Sequence, residues 1–72
     1  MSRKLKVIEV QDDTDRSFYV WTDLSVDEIE RVEGVTQASK ILGDIHVYID
    51  PRYDMHSIKA EIIGMAYMKA GL

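Results

Sequence analysis

The side chains that could do chemistry in this chain are few and scattered. Its two histidines, His46 and His56, stand ten residues apart, and neither neighbourhood offers the third ligand that a zinc or copper site needs at a matching spacing. The chain contains no cysteine, which removes thiolate metal sites, disulfides and Cys-x-x-Cys redox chemistry together. Asp12, Asp13 and Asp15 gather carboxylates of the kind that hold calcium or magnesium, but the stretch lacks the turn glycine and terminal Glu of an EF-hand loop. A solvated turn is the expected reading there, with no metal and no other cofactor. Ser17, Ser25, Ser39 and Ser57 fall where a turn, a helix cap, a strand and a helix start are expected, none with a His or Lys set beside it as a base. Asp27, Glu28, Glu30 and Glu33 read as the solvated face of a helix. The expectation is a protein that is not an enzyme.

The elements that position these residues are easier to read. Lys4 to Val10 (KLKVIEV) and Ser17 to Thr22 (SFYVWT) are strand-like runs joined by QDDTDR, a polar stretch suited to a hairpin loop. Ser25-Val26-Asp27-Glu28 is a capping box, with Leu24 and Ile29 at the positions of a hydrophobic staple. It predicts a helix of roughly two turns, with Gly34 as its left-handed C′ residue. Thr36 to Leu42 and Ile45 to Asp50 flank Gly43-Asp44, which reads as a two-residue, glycine-first hairpin loop setting Leu42 opposite Ile45, Lys40 opposite Val47 and Ser39 opposite Tyr48. Asp50-Pro51 ends that strand. Asp54 caps a longer helix carrying Met55, Ile58, Ile62, Met65 and Ala66, which runs to about Lys69 before Gly71. Gly64 in its interior costs up to ~1 kcal/mol unless it allows a close approach to the sheet.

The order ββαββα over residues 1–72 implies a single α+β domain, an open-faced sandwich with a four-stranded antiparallel or mixed sheet and both helices on one face. The second and fourth strands are expected parallel and adjacent at the centre, in a ferredoxin-like arrangement whose last strand has moved to the front. The core is expected to hold Val20 or Trp21, Leu24, Ile29, Val32, Ile45, Val47, Ile49, Ile58 and Ile62. Gly34-Val35, Ala38, Val47-x-Ile49-Asp50-Pro51, Ile58 and Ile62 resemble the back half of heavy-metal-associated domains over about thirty residues. That resemblance implies the fold alone, because the family's paired cysteines have no counterpart between Trp21 and Val26.

Alternation then separates two sheet faces. Ile45, Val47 and Ile49 oppose His46 and Tyr48, and Phe18, Val20 and Thr22 oppose Tyr19 and Trp21. The face without helices is therefore expected to show Tyr19, Trp21, Ile41, a half-exposed His46 and Tyr48, joined by Ile8 or Val10. Such a face suits a protein partner, either a second copy of the chain in a dimer or a separate target that the chain would inhibit or adapt. Regulators from phages or other mobile elements are often of this small, acidic, cysteine-free kind. The alternative is a single-stranded nucleic acid stacking its bases on the same rings, as RNA-recognition modules do, with Arg3, Lys4 and Lys6 at the edge for phosphates. Nine basic against thirteen acidic residues, a net charge of −4, argue against that alternative. The longest apolar run, Ile62 to Met68, is far short of the ~18–20 residues of a membrane span. The opening MSRKLKVIEV lacks the apolar stretch of a secretion signal, so a cytoplasmic protein is expected.

The capping box generates the first test. Ser25→Ala removes an N-cap acceptor and is expected to cost ~1 kcal/mol, read as a lower urea midpoint with an unchanged slope; midpoints equal within error would mean that the box is not formed.

Overall fold

Between Asp44 and Ile49 three aliphatic side chains alternate with His46 and Tyr48, and the computed structural model, which describes residues 7–71, buries Ile45, Val47 and Ile49. Strands β1 (Ile8–Thr14) and β2 (Ser17–Thr22) precede helix α1 (Val26–Glu30), and strands β3 (Val35–Ile41) and β4 (Asp44–Ile49) precede helix α2 (Met55–Ala70). The strands form one sheet in the order β1-β2-β4-β3, with every neighbouring pair antiparallel. This is an α+β arrangement with β2 and β4 at the centre. They are adjacent as expected but antiparallel, not parallel: the chain passes through α1 and up the edge strand β3 before it returns along β4 beside β2. The crossover through α1 thus joins β2 to β3, which run in the same direction with β4 between them.

Phe18, Val20, Ile45, Val47 and Ile49 on the sheet meet Leu24, Ile29 and Val32 around α1 and Ile58, Ile62 and Ala66 of α2 in one buried cluster. Both helices therefore serve the same side of the sheet. Trp21, considered for this core, is 44% exposed, and Phe18 fills the centre instead at 0%. Phe18 pairs with Val47 and Val20 with Ile45, so one side of both central strands is aliphatic or aromatic throughout. Ile8 and Val10 lie on this core side as well, opposite Thr22 and Val20, and leave Glu9 and Gln11 to the other face.

Two connections differ from the expectation. The first strand extends through Asp12 to Thr14, so that the turn is only Asp15-Arg16, and a register shift falls between Asp12 and Thr14. The acidic residues tolerate the strand because each finds a partner: Lys59 of α2 forms an ion pair with Asp12 and sits 5.6 Å from the centre of the Phe18 ring, and Asp13 is held on the opposite face. In the second hairpin the loop is Leu42-Gly43, and Ala38 lies opposite Val47, Lys40 opposite Ile45 and Ser39 opposite His46. The anticipated register would have set Lys40 beside buried Val47; the observed one places small Ala38 there and moves the lysine towards the hairpin end. Packing outweighs turn preference, and Leu42 takes a positive φ of 56° at the tip. The expected basic cluster Arg3, Lys4 and Lys6 lies outside the described residues.

The helix ends follow local chemistry. Ser25 and Glu28 exchange both capping-box hydrogen bonds, 3.1 and 2.7 Å, and the Ser25 amide together with Lys69 holds the Glu28 carboxyl below its ordinary range. The Ser57 hydroxyl and amide both donate to Asp54 at the start of α2 and lower its carboxyl likewise. α2 ends on Gly71 in the left-handed conformation, as expected, whereas α1 closes at Arg31 in a right-handed conformation and is shorter than expected. Gly34 follows later at φ +100°, where an added Cβ would lie 2.7 Å from Ile58 and 2.8 Å from the Tyr53 ring. Gly64 faces open space rather than the sheet.

These two glycines are expected to respond in opposite directions. Gly34→Ala should cost about 2 kcal/mol or more, because it adds both strain and overlap. Gly64→Ala should gain ~0.5–1 kcal/mol. Thermal melts of the two variants beside the unaltered protein check both signs, and a neutral Gly34→Ala would show that the packing against Tyr53 relaxes freely.

Candidate functional site

The side of the sheet away from the helices is built by the alternate residues of all four strands. Across its middle runs Gln11, Tyr19, His46 and Ser39, and towards one end Tyr48 lies between Ser17 and Gln37. Towards the other end stand Glu9, Trp21, Asp44 and Ile41. The five residues expected on this face, Tyr19, Trp21, Ile41, His46 and Tyr48, are all on it. Trp21, Ile41 and Tyr48 are exposed at 44%, 45% and 42%, and Leu42 at the adjoining hairpin tip is 95% exposed.

His46 departs from the expectation of half exposure: only 8% of it is accessible. Tyr19 stacks on the imidazole with ring centres 4.3 Å apart and planes 10° from parallel, and Tyr48 leans against it at 4.5 Å. Joined to these rings through His46 is a partly buried polar network. The Asp13 carboxylate accepts from the Ser17 hydroxyl at 3.0 Å and from His46 Nε2 at 3.0 Å. A carboxylate only accepts, so Nε2 carries the proton in this arrangement. Because the single Ser17 proton goes to Asp13, the 2.6 Å contact between the Ser17 and Thr14 hydroxyls has Thr14 as donor, and Thr14 in turn accepts from the Arg16 amide at 3.2 Å. The bulge at Asp13 positions this carboxylate, since the register shift there frees its residue from a cross-strand partner.

The network unites a serine, an aspartate and a histidine, but not as an activated nucleophile. Ser17 is completely buried, and its proton points to the carboxylate rather than to the imidazole. Its geometry suits another task, which is to clamp His46 flat beneath Tyr19 and so fix the aromatic face. Sequence reasoning placed Ser17 in a turn and missed this grouping; the signal is the parity of residues 13, 17 and 46, legible only once the strand is carried through to Thr14.

The Asp12, Asp13 and Asp15 trio does not converge. Asp12 turns to Lys59 on the helix side and Asp13 to His46 on the other, and among the described residues no group of His, Asp or Glu is arranged to hold a metal ion. His56 lies exposed in the first turn of α2 and not on a strand of this face. A shallow depression of about 460 Å³ adjoins Tyr48 at one end, between Arg16, Thr36 and Pro51. Among the described residues no helix is long and apolar enough to cross a membrane. No protein-family model, no curated protein and no solved structure matches the chain.

Asp13→Ala leaves the Nε2 donor of buried His46 without its partner, whereas the Ser17 hydroxyl can turn to Thr14 2.6 Å away, and one unsatisfied buried group costs ~1–3 kcal/mol. Denaturant unfolding is expected to show a loss of at least that size, against a change within about 0.5 kcal/mol for Asp15→Ala in the neighbouring turn. Equal effects of the two would remove the network as a support of the face.

Proposed function

We propose that this chain is a small, non-enzymatic protein-binding module that uses its helix-free sheet face. The observation that carries this reading is the joint exposure of Trp21, Ile41 and Tyr48 on one face, with Leu42 beside them. A solvated antiparallel face is ordinarily polar. Covering apolar surface yields ~25 cal/mol per Å², and Trp and Tyr are the residues that most often anchor protein interfaces. The clamped Tyr19–His46 pair supports the same reading, because a face held rigid in advance loses little freedom on binding.

The strand order β1-β2-β4-β3 with antiparallel neighbours supports describing the fold as ferredoxin-like with its final strand moved to the front. Open sheets of this kind offer one face to the helices and the other to a partner. A single-stranded nucleic acid fits the rings less well, since the charged side chains of this face among the described residues are Glu9, Asp13 and Asp44, all acidic.

A photo-reactive benzophenone side chain placed in turn at Tyr48, at Ile41 and at Glu61 on the exposed side of α2 tests the assignment. Cross-links to protein are expected from the two sheet positions and not from Glu61. Trp21→Ala is expected to reduce them roughly tenfold or more, the scale of an interface anchor, without lowering the urea midpoint comparably. Cross-links that favour Glu61, or that show no preference between the faces, would overturn the reading.

A further inference from the structure

The hairpin tip between β3 and β4 is built against local preference. Leu42 takes a φ of 56° although a glycine follows it, and its side chain is 95% exposed. A left-handed leucine is strained, and a side chain so exposed makes no contact within the chain that offsets the strain. Ile41 beside it is 45% exposed, so the tip presents two adjoining aliphatic groups. Exposed Lys40 and Asp44 flank them, and among the described residues neither side chain has a hydrogen bond or an ion pair. The opposite end of the same two strands carries the depression of about 460 Å³. Tyr48, Ile49 and Pro51 give it an apolar wall, Thr36 closes one side, and exposed Asp15 and Arg16 stand at its margin. The side chains of Asp15 and Arg16 likewise have no partner among the described residues. Thr36 and Leu42 are six residues apart along β3, which at ~3.3 Å per residue sets the tip about 20 Å from the hollow.

We propose that the Leu42 tip of one chain docks in this depression of a second copy, end to end. The proposal rests on the reading of the chain as a protein-binding module and names a second copy as a partner. One chain holds both halves of the contact: an aliphatic pair between a cation and an anion, Lys40 and Asp44, and an apolar hollow beside an anion and a cation, Asp15 and Arg16. Lys40 meets Asp15 and Asp44 meets Arg16, so the charges at the margin of the contact are matched in sign. Because the inserting and receiving surfaces differ, the contact is heterologous: a chain that receives a tip still offers its own, and association continues in a row. The contact joins strand ends and adds no strand to either sheet edge. One hairpin tip covers much less than the ~1,200–2,000 Å² of a standard interface, so each contact is weak.

Sedimentation equilibrium of the purified chain reads this association. The weight-average mass is expected to rise from near that of one chain at about 50 μM to roughly twice that at about 1 mM, a dissociation constant of about 1 mM. Leu42→Gly removes the tip and relieves its backbone, so it is expected to keep or raise the urea midpoint and to remain a single chain throughout. Thr36→Trp fills the depression and is expected to remain a single chain as well. Mixed at about 1 mM each, these two variants are expected to weigh more than either alone without passing two chains, because one keeps the hollow and the other the tip. Arg16→Glu, which leaves both shapes in place, is expected to raise the dissociation constant roughly threefold or more. A single-chain mass for the unaltered protein at about 1 mM, association of Leu42→Gly or Thr36→Trp equal to it, a mixture no heavier than its components, or an unaltered constant in Arg16→Glu overturns the proposal. Sedimentation registers copies of this chain alone, whereas the contrast between Tyr48 and Glu61 cross-linking is read on any protein. Failure of the end-to-end contact and failure of the docking face therefore give separate results.

Discussion

At the centre of the sheet Phe18 lies against Val47 and Val20 against Ile45, and all four are at most 1% exposed. This pairing of two central strands is the contact on which the remaining structure depends. It gives the helices a continuous apolar surface to cover, so that Ile29 from one side and Ile58 and Ile62 from the other complete a single core. Because strand side chains alternate, the same pairing obliges Tyr19, Trp21, His46 and Tyr48 to share the opposite face. The aromatic surface is the geometric complement of the core.

That dependence explains which parts of the molecule were legible in the sequence. Face membership rests on parity alone: the second hairpin pairs two residues away from the expected register, and a displacement by an even number leaves every side chain on its expected side. Ile41 therefore stands on the aromatic face although its cross-strand neighbour is not the anticipated one. Glycine preference suggested Gly43 at the first loop position, but the burial of Ala38 beside Val47 outweighed it and left Leu42 with the positive φ. The direction of β4 relative to β2 was less accessible, since it depends on where the crossover through α1 lands and not on any local pattern.

Polar residues followed a different logic. QDDTDR reads as a loop because aspartate disfavours strands, yet two of its carboxylates are taken up by groups remote in the chain, Lys59 and His46. A propensity scale cannot anticipate partners 47 and 33 residues away. The capping box at Ser25 and the cap at Asp54 were legible for the opposite reason, since both close over three residues.

The edge strand β3 has a feature whose effect reaches beyond the fold. Its Ala38 amide, directed away from β4, donates to the Glu30 carboxylate of α1 at 3.0 Å. An amide on a free edge is a template for another strand, and here a side chain of the same chain already occupies it. Extension of the sheet by a neighbouring molecule would first have to displace that carboxylate and leave its charge without the hydrogen bond. The short helix α1 thus acts as a stopper at the β3 margin, favouring a chain that keeps its broad face available over one that polymerises through its rim.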